Sequence, residues 1–142
     1  MNDHIAPKTP WHLWVVGGLG LLWNAVGVFG YVMAQTGNLK SLDMTVDQIA
    51  YFDSFPAWAD AAWALGVWGT LLGSLLLLLK SRWAVTSFWI SLVGLIGTTI
   101  FQRFVTVIPA ELDNIGLSVL IWVTTFLLLF YSIRMRKQGM LR

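Results

Sequence analysis

Four apolar runs, each about the length needed to cross a bilayer, constrain this chain more than any other feature. They cover residues 11–34, 57–79, 83–104 and 115–133. A helix crossing the hydrocarbon core needs roughly 20 mostly apolar residues. Together the runs take up most of a chain of 142 residues. Only 11% of those residues are charged, against about 25% in a soluble domain. Too little charge remains to cover a water-facing surface, so the expected solvent is lipid. The expected fold is all-α: one domain over residues 1–142, an integral membrane four-helix bundle running up and down in antiparallel fashion. The first run is too long for a signal-peptide core and ends in no small-x-small cleavage site. "KTPWHLW" instead offers Thr9 as N-cap and Pro10 in the first turn.

The connections differ in charge. One set carries Lys8, Lys80, Arg82, Arg134, Arg136, Lys137 and Arg142, with Asp3 the acidic exception. The other carries Lys40 and Arg103 among Asp43, Asp47, Asp53, Asp60, Glu111 and Asp113. The positive-inside rule then puts both termini in the cytoplasm of a bacterial inner membrane. In the first outer loop "MTVDQIAYF" has the capping-box pattern, Thr45 followed by Gln48. A short interfacial helix is expected there, with Val46, Ile49, Ala50 and Phe52 as its apolar side.

Composition removes several functional classes. Cysteine is absent, so disulfides, thiolate metal sites and cysteine nucleophiles are excluded. The histidines are His4 and His12, both near one end, which leaves no facing pair for haem. No carboxylate pair occurs at helical spacing within a run, and no Gly-rich phosphate loop follows a strand. Neither an enzyme, a cofactor nor a metal is expected. The middle of each run lacks Asp, Glu, Lys, Arg and His, the groups on which ion-coupled transporters depend. A net charge of +2, scattered along the chain, gives no footprint for nucleic acid. The expected partners are the lipid bilayer and either a homo-oligomer or a larger membrane complex.

Small and polar residues mark the helix faces. Ala62, Gly66, Gly69 and Gly73 fall within about 60° of one another on a helical wheel. Ser87, Ser91, Gly94, Thr98 and Gln102 form a second stripe, in the third run. Such stripes let backbones approach closely where lipid removes the hydrophobic effect. Facing each other within the chain is the expected use; a dimer interface is the alternative. Counting outward from the turn near Ser81 brings Asp60 and Arg103 to one depth, so an ion pair between them is one reading. The wheel angles turn them apart and favour Asp60 resting in a first helical turn while Arg103 snorkels to the headgroups.

Asn24 is the polar anomaly of the first run. Gly17, Gly20, Gly27, Val28 and Tyr31 share its face, so that face should point into the bundle. An unbonded amide in hydrocarbon costs several kcal/mol. Ser91 and Thr98 of the third run, and Thr124 and Thr125 of the fourth, are the expected partners. Asn24, Ser91, Thr98 and Thr125 thus form either an interhelical polar contact or a site for a neutral solute, with Trp23 or Trp68 alongside. Nine tryptophans serve mainly as an aromatic belt, with Trp23, Trp68 and Trp122 deeper.

"LLWNAVGVFGYVMAQ" and "FPAWADAAWALGVWGTLLGSLLLLLKSRWAV" carry a resemblance to a family of small bacterial four-span membrane proteins. That family shows W-N-x-x-G-V in its first span and G-x-x-x-G-S-x-L-L-L-L-[RK] at the end of its second. The likeness covers about residues 20–95, with Phe55 where threonine is common. It implies the four-span fold and singles out Asn24; some members carry the label sugar transporter. Two functions are therefore open: a non-enzymatic accessory or self-associating bundle component, or a homo-oligomeric transporter of a small neutral solute.

Overall fold

A computed structural model of the chain describes residues 8–142; Asp3 and His4 lie outside them. Among the described residues every regular element is a helix. Four helices are long and apolar enough to cross a membrane: α1 (Trp11–Gln35), α3 (Ala57–Leu78), α4 (Trp83–Ile100) with its continuation to Val105, and α5 (Ile115–Lys137). Between α1 and α3 lies the short α2 (Val46–Asp53). α5 runs past the apolar stretch to Lys137, because Arg134, Arg136 and Lys137 all favour the C-terminal end of a helix dipole.

The helix ends follow from local chemistry. At α2, Gln48 N–H donates to Thr45 Oγ1 at 3.2 Å and Thr45 N–H donates to Gln48 Oε1 at 2.9 Å, a complete capping box. α1 departs from expectation. Pro10 itself is the N-cap, in an extended conformation (ψ 144), and Thr9 Oγ1 instead accepts from Lys80 Nζ at 3.4 Å. α3 and α5 end alike, with the residue after the C-cap in the left-handed region. In α5 that residue is Gly139 (φ 76) and in α3 it is Lys80 (φ 55). In both, the following N–H reaches back five residues: Ser81 to Leu76 O at 2.8 Å and Met140 to Met135 O at 2.9 Å.

Two apolar cores are separated by a polar layer. One core joins Leu13, Leu77, Ala84, Val85, Phe88, Leu129, Met135 and Leu141. The last residues close onto it, since Arg142 exchanges backbone hydrogen bonds with Lys80 and Arg82 at 2.8 Å each. The other core joins Tyr51, Phe55, Ala59 and Phe101, flanked by Phe52, Trp63, Ile108 and Leu112. Between them the buried polar residues are Asn24, Thr70, Ser74, Ser91 and Thr125.

α2 covers the second core with Phe52 of its expected apolar side, joined by Tyr51; Ile49 is half-buried, while Val46 and Ala50 stay exposed. Val46 is 82% exposed, whereas Tyr51 is 7% exposed. Phe52 stacks on Trp63 at 5.5 Å and Phe55 meets Phe101 edge-on at 4.7 Å. Aromatic area outweighs the aliphatic pattern here. The rings of Tyr51, Phe52 and Phe55 fall together only because the chain turns after Asp53.

α3 and α4 meet along their small-residue stripes. Ser87 Oγ donates to Gly69 O at 2.7 Å and Ser91 Oγ to Gly66 O at 2.9 Å. A Cβ on Gly94 would lie 2.5 Å from both the Ala62 oxygen and the Gly66 nitrogen, and one on Gly69 would lie 2.8 Å from Ser91 Cβ. At Gly73 the ring of Phe88 would be 2.7 Å away. The stripe of α3 is therefore covered by α4 of the same chain.

Candidate functional site

The polar layer encloses a cavity of about 280 Å³ bounded by all four long helices. α1 contributes Trp23, Asn24 and Gly27. α3 contributes Trp63, Gly66 and Thr70. α4 and its continuation supply Ser91, Thr98, Thr99 and Gln102. α5 supplies Ser118, Trp122, Thr124 and Thr125. The four residues singled out in sequence, Asn24, Ser91, Thr98 and Thr125, thus line one space. Among the described residues, no ionisable side chain lines it.

Asn24 is 9% exposed and faces inward. Its amide finds partners on α3 rather than on α4 or α5. Nδ2 donates to Ser74 Oγ at 3.0 Å and to Thr70 O at 3.3 Å. The expected bonds to Ser91, Thr98, Thr124 or Thr125 are not made. Helical periodicity gives the face on which a residue lies but not which neighbour sits opposite. Here Gly17 and Gly20 seat α1 against Leu78 and Ser74 of α3.

The cavity hydroxyls are mostly tied to their own helices. Thr98 Oγ1 donates to Gly94 O at 2.9 Å. Thr124 and Thr125 both donate to Ile121 O, at 3.0 and 2.8 Å. Each donor is thereby satisfied at modest cost to helix geometry, and the oxygen lone pairs remain available as acceptors. Asn24 Oδ1 and the Gln102 amide add acceptor and donor capacity.

Gln102 owes its place to a local irregularity. Residues 101–105 form a π turn in which Thr106 N–H bonds Phe101 O, five residues back, at 3.1 Å. Such turns are frequent at functional sites. The same turn breaks the regular helical phase at Arg103. Arg103 Nη1 pairs with Asp113 Oδ1 at 3.0 Å, and Asp60 accepts from Gln35 Nε2 at 3.1 Å in the first turn of α3. The Asp60–Arg103 pair is absent. The α4–α5 connection folds back to supply a nearer carboxylate, so Arg103 also does not snorkel freely.

Indole rings frame the space. Trp23, Trp63 and Trp122 line it, whereas Trp68 does not and is 40% exposed. Trp63 escaped sequence reading, although it shares the face of Gly66 and Thr70 at helical spacing. Tyr31 meets Trp63 edge-on at 5.1 Å, and Phe52 stacks on the same indole. Beside this group the Tyr51 hydroxyl is buried without a hydrogen-bond partner. Burial raises its pKa above the ordinary phenol value, Gln102 and the Arg103 charge partly oppose this, and Asp113 adds to it.

His12 has a role not expected for a solvated histidine. Its Nδ1 forms a hydrogen bond with the Tyr131 hydroxyl, joining α1 to α5. The chain matches no family model, no curated protein and no solved structure.

Proposed function

We propose that this is a bacterial inner-membrane protein whose four long helices cross the bilayer in alternating directions, and whose cavity binds and passes a small neutral, hydrogen-bonding solute. The observation that carries the reading is the lining: amides, hydroxyls and three indoles set among aliphatic side chains, with no charge. Walls of this kind supply acceptors and donors to a hydroxylated molecule and flat faces to its C–H surfaces. They offer nothing to compensate the desolvation of an ion. The likeness in sequence to small four-span proteins, some labelled sugar transporters, agrees with the reading.

In this arrangement both termini lie in the cytoplasm with the basic residues at Lys80, Arg82, Arg134, Arg136 and Lys137. α2 lies at the opposite membrane interface, over the aromatic core. The accessory, self-associating role has less support, because the glycine stripe that would serve it is occupied by α4. Binding needs no second copy, since one chain supplies every wall. No cofactor and no bond-making step enter the reading.

The test is direct. Purified protein in liposomes is assayed for uptake of radiolabelled glucose, myo-inositol and glycerol, with intrinsic tryptophan fluorescence as the binding signal. Saturable binding and uptake of at least one is expected, reduced at least fivefold by Gln102→Leu with unchanged thermal stability. Absence of saturable binding for all three, with helicity intact, overturns it.

A further inference from the structure

The cavity continues beyond its mid-depth end. Trp23 and Thr124 line it and also line a second, more open groove of about 600 Å³ along the seam of α1 and α5. The character of the walls changes at that point. The groove is built from Val16, Leu19, Leu127, Leu128 and Phe130, with Tyr131 and Arg134 at its far end. Leu127 is 62% exposed, and Leu19 and Phe130 are similarly open. From Leu117 in the cavity to Arg134 at the end of the groove is about 25 Å along α5, at 1.5 Å per residue. A chamber with hydroxyls and amides among its apolar walls and a trough with few of them thus form one track, and the seam that holds them is tied at one end by His12 and Tyr131.

Resting on the solute reading above, we infer that the ligand is a neutral single-chain amphiphile, with its hydroxylated head in the cavity and its hydrocarbon tail in the groove. A free polyol would use the first half of the track only. A chain fits the second half because its walls offer dispersion contacts and, before Tyr131 and Arg134, only the Trp23 indole and the Thr124 hydroxyl, which is bonded to Ile121 O. The open side lets such a molecule enter from the bilayer between α1 and α5, its tail remaining in an apolar medium throughout. A charged headgroup is disfavoured by the absence of a counter-charge in the chamber.

Dodecyl β-glucoside carrying a diazirine in its chain serves as the probe, with the full chain in lipid nanodiscs. On irradiation the expected cross-links concentrate at residues 16–19 and 127–130, and excess unlabelled dodecyl glucoside removes them. Leu127→Trp, which fills the groove at an exposed position, should lower their yield at least fivefold while glucose binding stays unchanged. Gln102→Leu should weaken both. Cross-links spread evenly over all exposed helix faces and resistant to competition overturn the inference, and if glucose still binds, the solute reading stands alone. If neither glucose nor the glucoside binds saturably, both readings fall. Loss of the cross-links on Arg134→Gln but not on Gln102→Leu also overturns the inference, because the groove would then hold a phospholipid anchored by its phosphate.

Discussion

The α3–α4 seam and the α1–α5 seam draw on the same kinds of residue and reach opposite ends. On α4, Ser87 and Ser91 donate their hydroxyls across to the carbonyls of Gly69 and Gly66. On α5, Thr124, Thr125 and Ser132 turn theirs back to Ile121 and Leu128 of their own helix. The difference lies in the receiving helix. A hydroxyl can reach a neighbour's carbonyl only where glycine removes the intervening Cβ, and α3 presents Gly66, Gly69 and Gly73 where α4 needs them. α1 presents Gly20 to α5, where Leu128 already fills the gap. One seam therefore closes to backbone contact, and the other stays open along the space that the cavity and the groove occupy. Hydroxyls alone do not bring membrane helices together; glycine on the opposite face decides whether they cross-link two helices or line a cavity.

The largest expected effect breaks the closed seam. Gly94→Ala places a methyl 2.5 Å from backbone atoms of Ala62 and Gly66, and backbone cannot yield as a side-chain tip does. Thermal unfolding in detergent should show a loss of about 3 kcal/mol. Gly18→Ala, where nothing lies within 4 Å, is the control and should be neutral or slightly stabilising. Equal behaviour of the two variants would show that the close approach is not what holds α3 to α4.

Next in size is the buried polar contact that ties α1 to α3. Asn24→Leu removes the donor to Ser74 Oγ and Thr70 O and should cost about 2 kcal/mol in the same assay. Thr125→Val, which removes only a bond to its own helix, should leave stability nearly unchanged and weaken solute binding. Reversal of this order would place Asn24 outside the packing and Thr125 within it.

How far these contrasts could be read from sequence depends on the kind of information each needs. Apolar run length showed the four long helices, and the Thr45–Gln48 spacing showed the α2 start, because both depend on residues near one another in the chain. The stripes of α3 and α4 were legible as faces, and the short turn at Ser81 leaves adjacent faces few ways to meet. The partner of Asn24 was not legible, since three helices offered hydroxyls at its depth. Tyr51 was hidden because its hydroxyl suggests a wet surface, whereas its ring packs in the aromatic core. Arg103 was misread because a π turn carries no periodic signature and because a fold-back of the α4–α5 connection toward Asp113 is invisible to a hydropathy pattern.

Smaller effects sharpen the picture of the closed seam and its opposite end. Lys80 holds a left-handed conformation in the turn that joins α3 to α4, where α5 uses Gly139 for the same purpose. Lys80→Gly should therefore stabilise the chain by about 1 kcal/mol in thermal unfolding, less the weak contact to Thr9. No gain would mean that the Thr9 contact matters more than backbone strain. At Tyr51 the folded chain keeps a phenolic proton that the unfolded chain releases, because burial raises the pKa above 10.0. The Tyr51 contribution to stability is therefore constant below pH 10 and is lost as pH rises beyond it. Tyr51→Phe should flatten that alkaline fall in a pH series of unfolding measurements and change neutral-pH stability by less than about 1 kcal/mol. An unchanged alkaline slope would assign it to another group.

The central claim is that the bundle is closed along α3–α4 and open into a polar cavity beside α5. The chain contains no cysteine, so single substitutions report without background. Thr98→Cys and Ser118→Cys in the cavity wall, and Ser87→Cys in the closed seam, are to be treated in native membranes with a small neutral methanethiosulfonate. Fast modification at 98 and 118, at least tenfold faster than at 87 and slowed by an occupying solute, is the predicted result. Equal rates at all three positions, or an inert residue 98 and 118 in a folded protein, would contradict it.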